Sequence, residues 1–432
     1  MISLLLLSAG LSAAVSAAEV PRLSLEEVKR LAVERNPDTR SAALAEEIAR
    51  IDASRARLDR FALTLGTSAG AEAATFRTFD GLTTKGTSST WDARARGEVP
   101  LYAGGRIDAA IERADASARI AGLDRQITAR ELERAAYRSY WTIKGYELQI
   151  EASEEGLRVT EQALAIIRAK ADAGLSAGID VNRSEVDLLS QQAGLVEQRS
   201  ALYGAKQELL RLLQLPGDEV VLTDGPPAPR SGPVELPDGA GEARPELARA
   251  EASAAQAEAG VKGARSGTLP TVALVGEAGL GTSRLPTSPA FDPPIAEPST
   301  DASVGLQFTW NPFDLWKTRD AVQQARLGVQ QVETQQQATA SGIQAELKSA
   351  AAEVRQLRER APLVSQQVAL ARDNLQIVQD LYSQGSATIL DLFNAQSSFR
   401  SARIQEASLQ VQLATAEDDL RWLLGQSAPG TP

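Results

Sequence analysis

Asp92, Arg94, Arg96 and Glu98 place four charges at every second position, with Trp91, Ala93, Ala95, Gly97, Val99 and Leu101 among them. Carboxylates and guanidiniums in this pattern hydrate one wall of a strand; they neither activate a nucleophile nor close around a metal. The chain's 432 residues include no histidine, which removes the commonest general base and the commonest metal ligand, and no cysteine. Disulfides, thiolate metal sites and a lipid-bearing cysteine are thereby excluded, and we assign no catalytic, cofactor or metal residue: the chain reads as a non-enzyme. Two further carboxylates stand at matching places, Asp180 after Gly174 and Asp391 after Gly385. Their chemistry is electrostatic. Thr388-Ile389-Leu390-Asp391 has the form of a capping box, and an acidic side chain suits a helix N-terminus.

The elements that position these residues alternate or repeat. Phe61, Leu63, Leu65, Ala69, Ala71 and Ala73 share one face of a segment whose other face carries Thr64, Gly66, Ser68, Gly70 and Glu72. Later, Val304, Leu306, Phe308 and Trp310 oppose Ser303, Gly305, Gln307 and Thr309. Period two over about ten residues, apolar on one side and polar on the other, is the pattern of a membrane β-barrel strand with a wet interior. Strands are expected over about 61–73, 91–102, 271–281 and 303–312. Asp92, Arg94, Arg96 and Glu98 would line the lumen, where their mixed signs argue against strong charge selection. Trp91, Tyr102, Trp310, Phe313 and Trp316 fall near strand ends, as an interfacial aromatic girdle would. Past the N-terminal apolar run no stretch of about 18 apolar residues occurs, so a span must be made of strands. A formal net charge of −11 argues against a nucleic-acid partner.

Shifting the sequence by 211 residues superposes its halves without a gap from about Phe61 to Gln214: Gly174 falls on Gly385, Asp180 on Asp391, Leu212 on Leu423. We divide the chain into a signal peptide (1–18), a first repeat (19–214), a Pro/Gly-rich linker (215–244), a second repeat (245–425) and a C-terminal tail (426–432). Each repeat adds a long helix to its strand pair, 106–173 and 316–384, on the order of 100 Å at 1.5 Å per residue. Ile143, Ile150, Leu157 and Leu164 recur every seven residues, as do Val354, Ala361, Val368 and Leu375, the spacing of coiled-coil struts. Return helices are expected over 179–214 and 390–425, with Glu406 interrupting the second seam, and helices from Pro37 and Pro245 make up the missing length. Four strands cannot close a barrel, and open edges in lipid leave backbone groups unsatisfied. The chain must therefore share its barrel with copies of itself, and two, three or four copies each satisfy this argument.

Leu23-Ser24-Leu25-Glu26-Glu27 with Arg35-Asn36-Pro37-Asp38, the strand-to-helix run Val99-Pro100-Leu101-Tyr102-Ala103-Gly104-Gly105-Arg106, its echo Trp310-Asn311-Pro312-Phe313-Asp314, and the two Gly-x5-Asp turns together resemble the TolC family of outer-membrane factors. The resemblance covers nearly the whole chain after residue 18. It implies a homotrimer whose 12 strands form one barrel, continued by an α-helical coiled-coil barrel across the periplasm of a Gram-negative-type cell. It further implies an exit duct for a tripartite efflux pump or a type I secretion system, docked to a periplasmic adaptor (membrane fusion protein) and through it to an inner-membrane pump. Gly174, Leu175 and Ser176, and Gly385, Ser386 and Ala387, match the tips where family members meet the adaptor. Asp180 and Asp391 match aspartates of the pore entrance; Asn394 stands where the pattern has a second acidic ring, and Ala387 where a basic partner could sit. A periplasmic adaptor is the alternative from another class, and it needs one hairpin flanked by small β-domains. A structural coiled-coil protein is the third reading, and it leaves the alternating strands unexplained.

Overall fold

A computed structural model describes residues 20–77, 83–174, 178–225, 234, 236–237, 239–284, 296–311 and 315–425. In chain order the elements are β1 (Arg22–Leu23), α1 (Leu25–Arg35), α2 (Pro37–Leu58), β2 (Ala62–Arg77), β3 (Thr83–Tyr102), α3 (Arg106–Asp172), α4 (Gly178–Leu212), β4 (Val221–Leu222), α5 (Pro245–Ser266), β5 (Thr271–Arg284), β6 (Ala296–Thr309), α6 (Leu315–Ser383) and α7 (Ile389–Leu423). The expectations for residues 1–18 and 426–432 lie outside the described residues. Among the described residues no helix is long and apolar enough to cross a membrane.

Contacts divide the chain into two units. One comprises the residues up to Ser41, Gln126–Arg244 and those from Ser341 on; the other comprises Ala42–Arg125 and Pro245–Ala340. In the first unit, the heptad positions form the core. Val354, Leu357 and Val364 of α6 pack with Leu409, Leu413 and Leu420 of α7, and Val234 and Leu236 from the inter-repeat segment rest on this cluster. Toward the glycine turns, Ala163 and Ile167 of α3 join Leu375 and Tyr382 of α6 and Leu392 and Phe399 of α7. Burying each such aliphatic side chain contributes about 1.5–3 kcal/mol, which is how helices of this length persist. Pro362 lies inside α6 without ending it. The N-terminus of α2 meets the end of α4, where the Asn36 amide donates to the Leu212 carbonyl at 3.2 Å. Ser24 and Glu27 form the expected capping box of α1.

Within the second unit, α3 carries acids that pair with bases of the short helices beside it: Asp108 with Arg60 and Asp115 with Arg57 of α2's flank, both at 2.7 Å, and Glu112 with Lys262 of α5 at 2.7 Å. The sheet of this unit is antiparallel throughout, in the order β2-β3-β5-β6. Its strands run beyond the sequence expectation. β3 begins at Thr83 rather than 91, because the stretch Thr83–Thr90 lacks apolar alternation yet keeps its backbone ladder to β2. β6 spans 296–309 rather than 303–312: it starts earlier for the same reason, and its ladder to β5 ends at the pair Thr271–Thr309, where β5 begins directly after Pro270. Trp310 therefore lies just past the strand end.

Candidate functional site

The sheet separates its side chains as the alternation requires. One face is apolar: Leu63 opposes Gly97, Gly97 opposes Gly276, and Gly276 opposes Val304. Leu63, Leu65 and Val304 are about four-fifths exposed (82%, 81% and 79%), so nothing among the described residues covers them. The other face is polar. Arg94 of β3 donates to Glu277 of β5 at 3.0 Å and pairs with Asp92 at 3.3 Å; Arg96 donates to Gln307 of β6 at 3.2 Å and lies 3.9 Å from both Glu98 and Glu277. Ser68 of β2 donates to Asp92. The registers put Asp301 on this face beside Gly279, and a Cβ on Gly279 would stand 2.8 Å from the Asp301 Oδ1. The structure thus brings Asp92, Arg94, Arg96 and Glu98 onto one wall and adds Glu277 and Asp301, which the sequence reading did not single out. Both were in phase with the polar positions of their strands, and that phase was the available signal.

Tyr102 carries a second lesson about register. Simple alternation puts even-numbered positions of β3 on the polar face. A bulge between Pro100 and Tyr102 changes the phase, so that Tyr102 opposes Val272, which in turn opposes Phe308. Tyr102 is thereby moved to the apolar face, the face of Trp91, and both rings are about half exposed. Eleven residues at about 3.3 Å rise separate them by about 36 Å along the strand. Trp310 and Trp316 are also exposed. Phe313 lies outside the described residues.

At the glycine turns, Gly174 and Gly385 have φ of +72° and +80°. After α6 the turn is closed by two backbone bonds, Gly385 N–H to the Tyr382 carbonyl at 3.0 Å and Ser386 N–H to the Leu381 carbonyl at 2.8 Å, a Schellman arrangement. Ser386 is exposed, Ala387 is half-buried against the adjoining core, and Leu175 and Ser176 lie outside the described residues. Asp391 completes the capping box of α7: its carboxylate accepts from the Thr388 hydroxyl at 2.6 Å and from the Thr388 N–H at 2.9 Å. These bonds, the hydroxyl's first, hold its pKa below the ordinary aspartate value of 3.8. Asp180 is half-buried in the first turn of α4, and Asn394 is exposed one turn beyond Asp391.

Cross-links between the two hairpins of the first unit were not legible from spacing. Lys170 of α3 donates to the Tyr382 carbonyl of α6 and sits 4.4 Å from that residue's ring centroid. Glu155 of α3 accepts from Arg372 of α6 at 3.0 Å and from Arg403 of α7 at 2.8 Å, and Arg403 also pairs with Glu406. Glu406 therefore interrupts the apolar seam in order to extend an ion chain. Farther along α7, Asp419 accepts from Tyr137 at 2.6 Å, from Arg134 at 3.1 Å and from Arg138 at 2.9 Å, while the Trp422 ring lies among Arg130, Arg134 and Arg244 at 4.5–5.1 Å. Burial pushes the Asp419 pKa up, but the bonds from Arg138 and Tyr137 outweigh it and hold the carboxyl below its ordinary value. Among the described residues no group of acids could hold a metal ion.

Comparison with known proteins matches both halves of this architecture. The chain is 25% identical over 355 residues to the pyoverdine export outer membrane protein OpmQ of Pseudomonas putida, covering 80% of this chain and 73% of that protein. Its fold is that of the outer-membrane channel OprN (TM-score 0.81, 22% identity, covering 93% of this chain and 90% of that one). It also matches the outer membrane protein VceC from Vibrio cholerae (TM-score 0.79, 19% identity, 93% and 96%). A family model described as outer membrane efflux protein matches residues 28–214 and 236–426. With strands patterned for a membrane, paired helical hairpins and this match over most of its length, the chain belongs to the outer membrane efflux protein family, and its place is the outer membrane.

Proposed function

We propose that three copies of this chain form one duct, with the polar sheet face lining its lumen and the glycine turns meeting a periplasmic adaptor that links it to an inner-membrane pump. The observation that carries the proposal is the apolar surface that the chain leaves uncovered in a coiled-coil pattern. On α4, Leu189, Val196 and Tyr203 are exposed every seven residues, with Val186 one turn before the first of them; on α6, Leu363, Leu370 and Ile377 are exposed every seven residues. Two such seams on different helices of one chain suit a head-to-tail ring of copies, which closes. The outer edges of β2 and β6, which face no further strand among the described residues, ask for the same partner, since lipid offers no hydrogen bonds. Family membership supports three copies, for 12 strands.

In this reading Asp92, Arg94, Arg96, Glu98, Glu277 and Asp301 form the lumen wall, and Trp91, Tyr102, Trp310 and Trp316 anchor the barrel at the lipid interfaces. Gly174, Leu175, Ser176, Gly385, Ser386 and Ala387 form the adaptor-docking tips, and Asp180, Asp391 and Asn394 line the pore entrance. Protein purified from the outer-membrane fraction should run as an oligomer and give stepwise ion conductance in a planar bilayer. A soluble periplasmic monomer would overturn the proposal. A photocrosslinker at Ser386 should capture an adaptor during active export, and its failure with functional protein would remove the docking role alone.

A further inference from the structure

The duct reading leaves open how the sheet edges of neighbouring copies fit, and the internal repeat supplies an answer. The contact of β3 with β5 joins the last strand of the first repeat to the first strand of the second repeat. In a closed ring, β6 and the next copy's β2 make the corresponding junction, the last strand of a second repeat against the first strand of a first repeat. Moving the observed partners by the 211-residue repeat converts one junction into the other. Arg94 opposite Gly279 becomes Gly305 opposite Ser68, Ala93 opposite Leu280 becomes Val304 opposite Ala69, and Arg96 opposite Glu277 becomes Gln307 opposite Gly66.

We propose that β6 of one copy pairs antiparallel with β2 of the next in this register, Gly305 opposite Ser68 of the partner subunit. The register keeps the faces intact: Val304 and Ala69 of the partner subunit both belong to the apolar face, and Gly305 and Ser68 of the partner subunit both belong to the polar face. A slip by one residue would mix them, which is the strongest constraint on any sheet with one wet face. The register also closes. A path from Leu63 through Gly97, Gly276 and Val304 arrives at Ala69 of the partner subunit, a stagger of six residues per copy. Carried round three copies of four strands, that stagger gives a tilt of about 45°, at the upper end of the range for outer-membrane barrels. A slip by two residues keeps the faces and is the rival to exclude. The two hairpins already differ by that amount, since Ala62 opposes Glu98 whereas Ala273 opposes Gln307 rather than Thr309. If β6 carries this slip to its outer edge, Gly305 opposes Gly66 of the partner subunit.

The inference rests on the duct reading, and the experiment separates the two. The chain has no cysteine, so the doubly substituted Gly305→Cys/Ser68→Cys protein carries only the two thiols under test. Directly opposed Cα atoms lie about 4.5–5.5 Å apart, within disulfide reach, whereas partners displaced by two residues lie at about 7–8 Å, beyond it. Mild oxidation in the outer membrane should turn the monomer band of a denaturing gel into a covalent trimer that reductant reverses. The Val304→Cys/Ala69→Cys pair should do the same from the lipid side. Gly305→Cys combined with Gly66→Cys or with Gly70→Cys should stay monomeric on that gel. Preferential crosslinking in either displaced pair overturns the register, as does a native trimer that crosslinks with neither matched pair. Monomer alone in native gels of the outer membrane overturns the duct reading itself. Each single-cysteine protein, checked for trimer formation, shows whether the substitutions leave assembly intact.

Discussion

At the scale of single residues, the positions proposed for a function are held by backbone geometry as much as by their side chains. Gly385 is an example: open space surrounds the place of its missing Cβ, so its requirement comes from φ alone. Gly385→Ala should cost about 1–2 kcal/mol, the penalty for a left-handed L-residue, read as a lower thermal midpoint with no change in oligomeric state. Asp391 shows how a cap and a proposed pore residue coexist, because its carboxylate is engaged by Thr388 while the residue remains exposed. Thr388→Ala should destabilise α7's first turn by about 1 kcal/mol at neutral pH. The pH dependence has a fixed sign. A carboxyl whose folded pKa is depressed contributes fully above its ordinary value, near 3.8, and loses that contribution as pH falls through the lowered value. The difference in thermal midpoint between the parent and Thr388→Ala should therefore be constant from pH 5 to 8 and shrink below about pH 4. A difference that fades between pH 6 and 5 would remove Asp391 from the cap.

Elements were the most legible level of the sequence, and the places where reading failed have identifiable causes. Long helices with seven-residue periodicity and proline-marked starts at Pro37 and Pro245 declare themselves, because many independent positions repeat the same message. Strand ends do not. The outer part of β3 is Thr/Ser/Gly-rich, and a ladder of backbone bonds leaves no trace in side-chain type there. Tyr102 reaches the apolar face only through a bulge, a one-residue change that no alternation pattern can encode. Glu277 and Asp301 were hidden because each is a single charge among small residues, and the cluster exists only once four strands lie side by side. Cross-hairpin pairs such as Glu155 with Arg372 and Arg403 join residues more than 200 positions apart. Pairing within one hairpin is more local: Arg358 of α6 gives two bonds to Glu417 of α7 at 2.7 and 3.0 Å, where Glu417 is 5% exposed. Arg358→Ala would strand that carboxylate in the α6–α7 core and should cost about 3–5 kcal/mol, whereas Arg358→Ala with Glu417→Leu should recover most of it. Thermal midpoints of the four proteins of this cycle test the claim, and strict additivity would refute it.

At the scale of the whole molecule, the chain is a set of surfaces that make sense only when covered. The sequence argument required copies and left their number open, since an edge that must be satisfied does not count its partners. The uncovered heptad seams of α4 and α6 carry the same requirement into the helices. Leu370 is 62% exposed in the protomer, so a polar substitution there leaves the chain's own core untouched. Covering it in a neighbour's seam returns about 1–2 kcal/mol per copy, and a buried unpaired carboxylate in its place costs several. Leu370→Glu is thus expected to fold, to keep its helical circular dichroism, and to lose the oligomer, giving protein that no longer forms conductance steps in a planar bilayer. Val186→Glu on the opposite seam should do the same. The two together should be no worse than either alone, because one missing contact opens the ring. A Leu370→Glu protein that remains a conducting oligomer would show that this seam faces something other than another copy, and the head-to-tail arrangement of α4 against α6 would have to be abandoned even though the sheet edges still demanded partners.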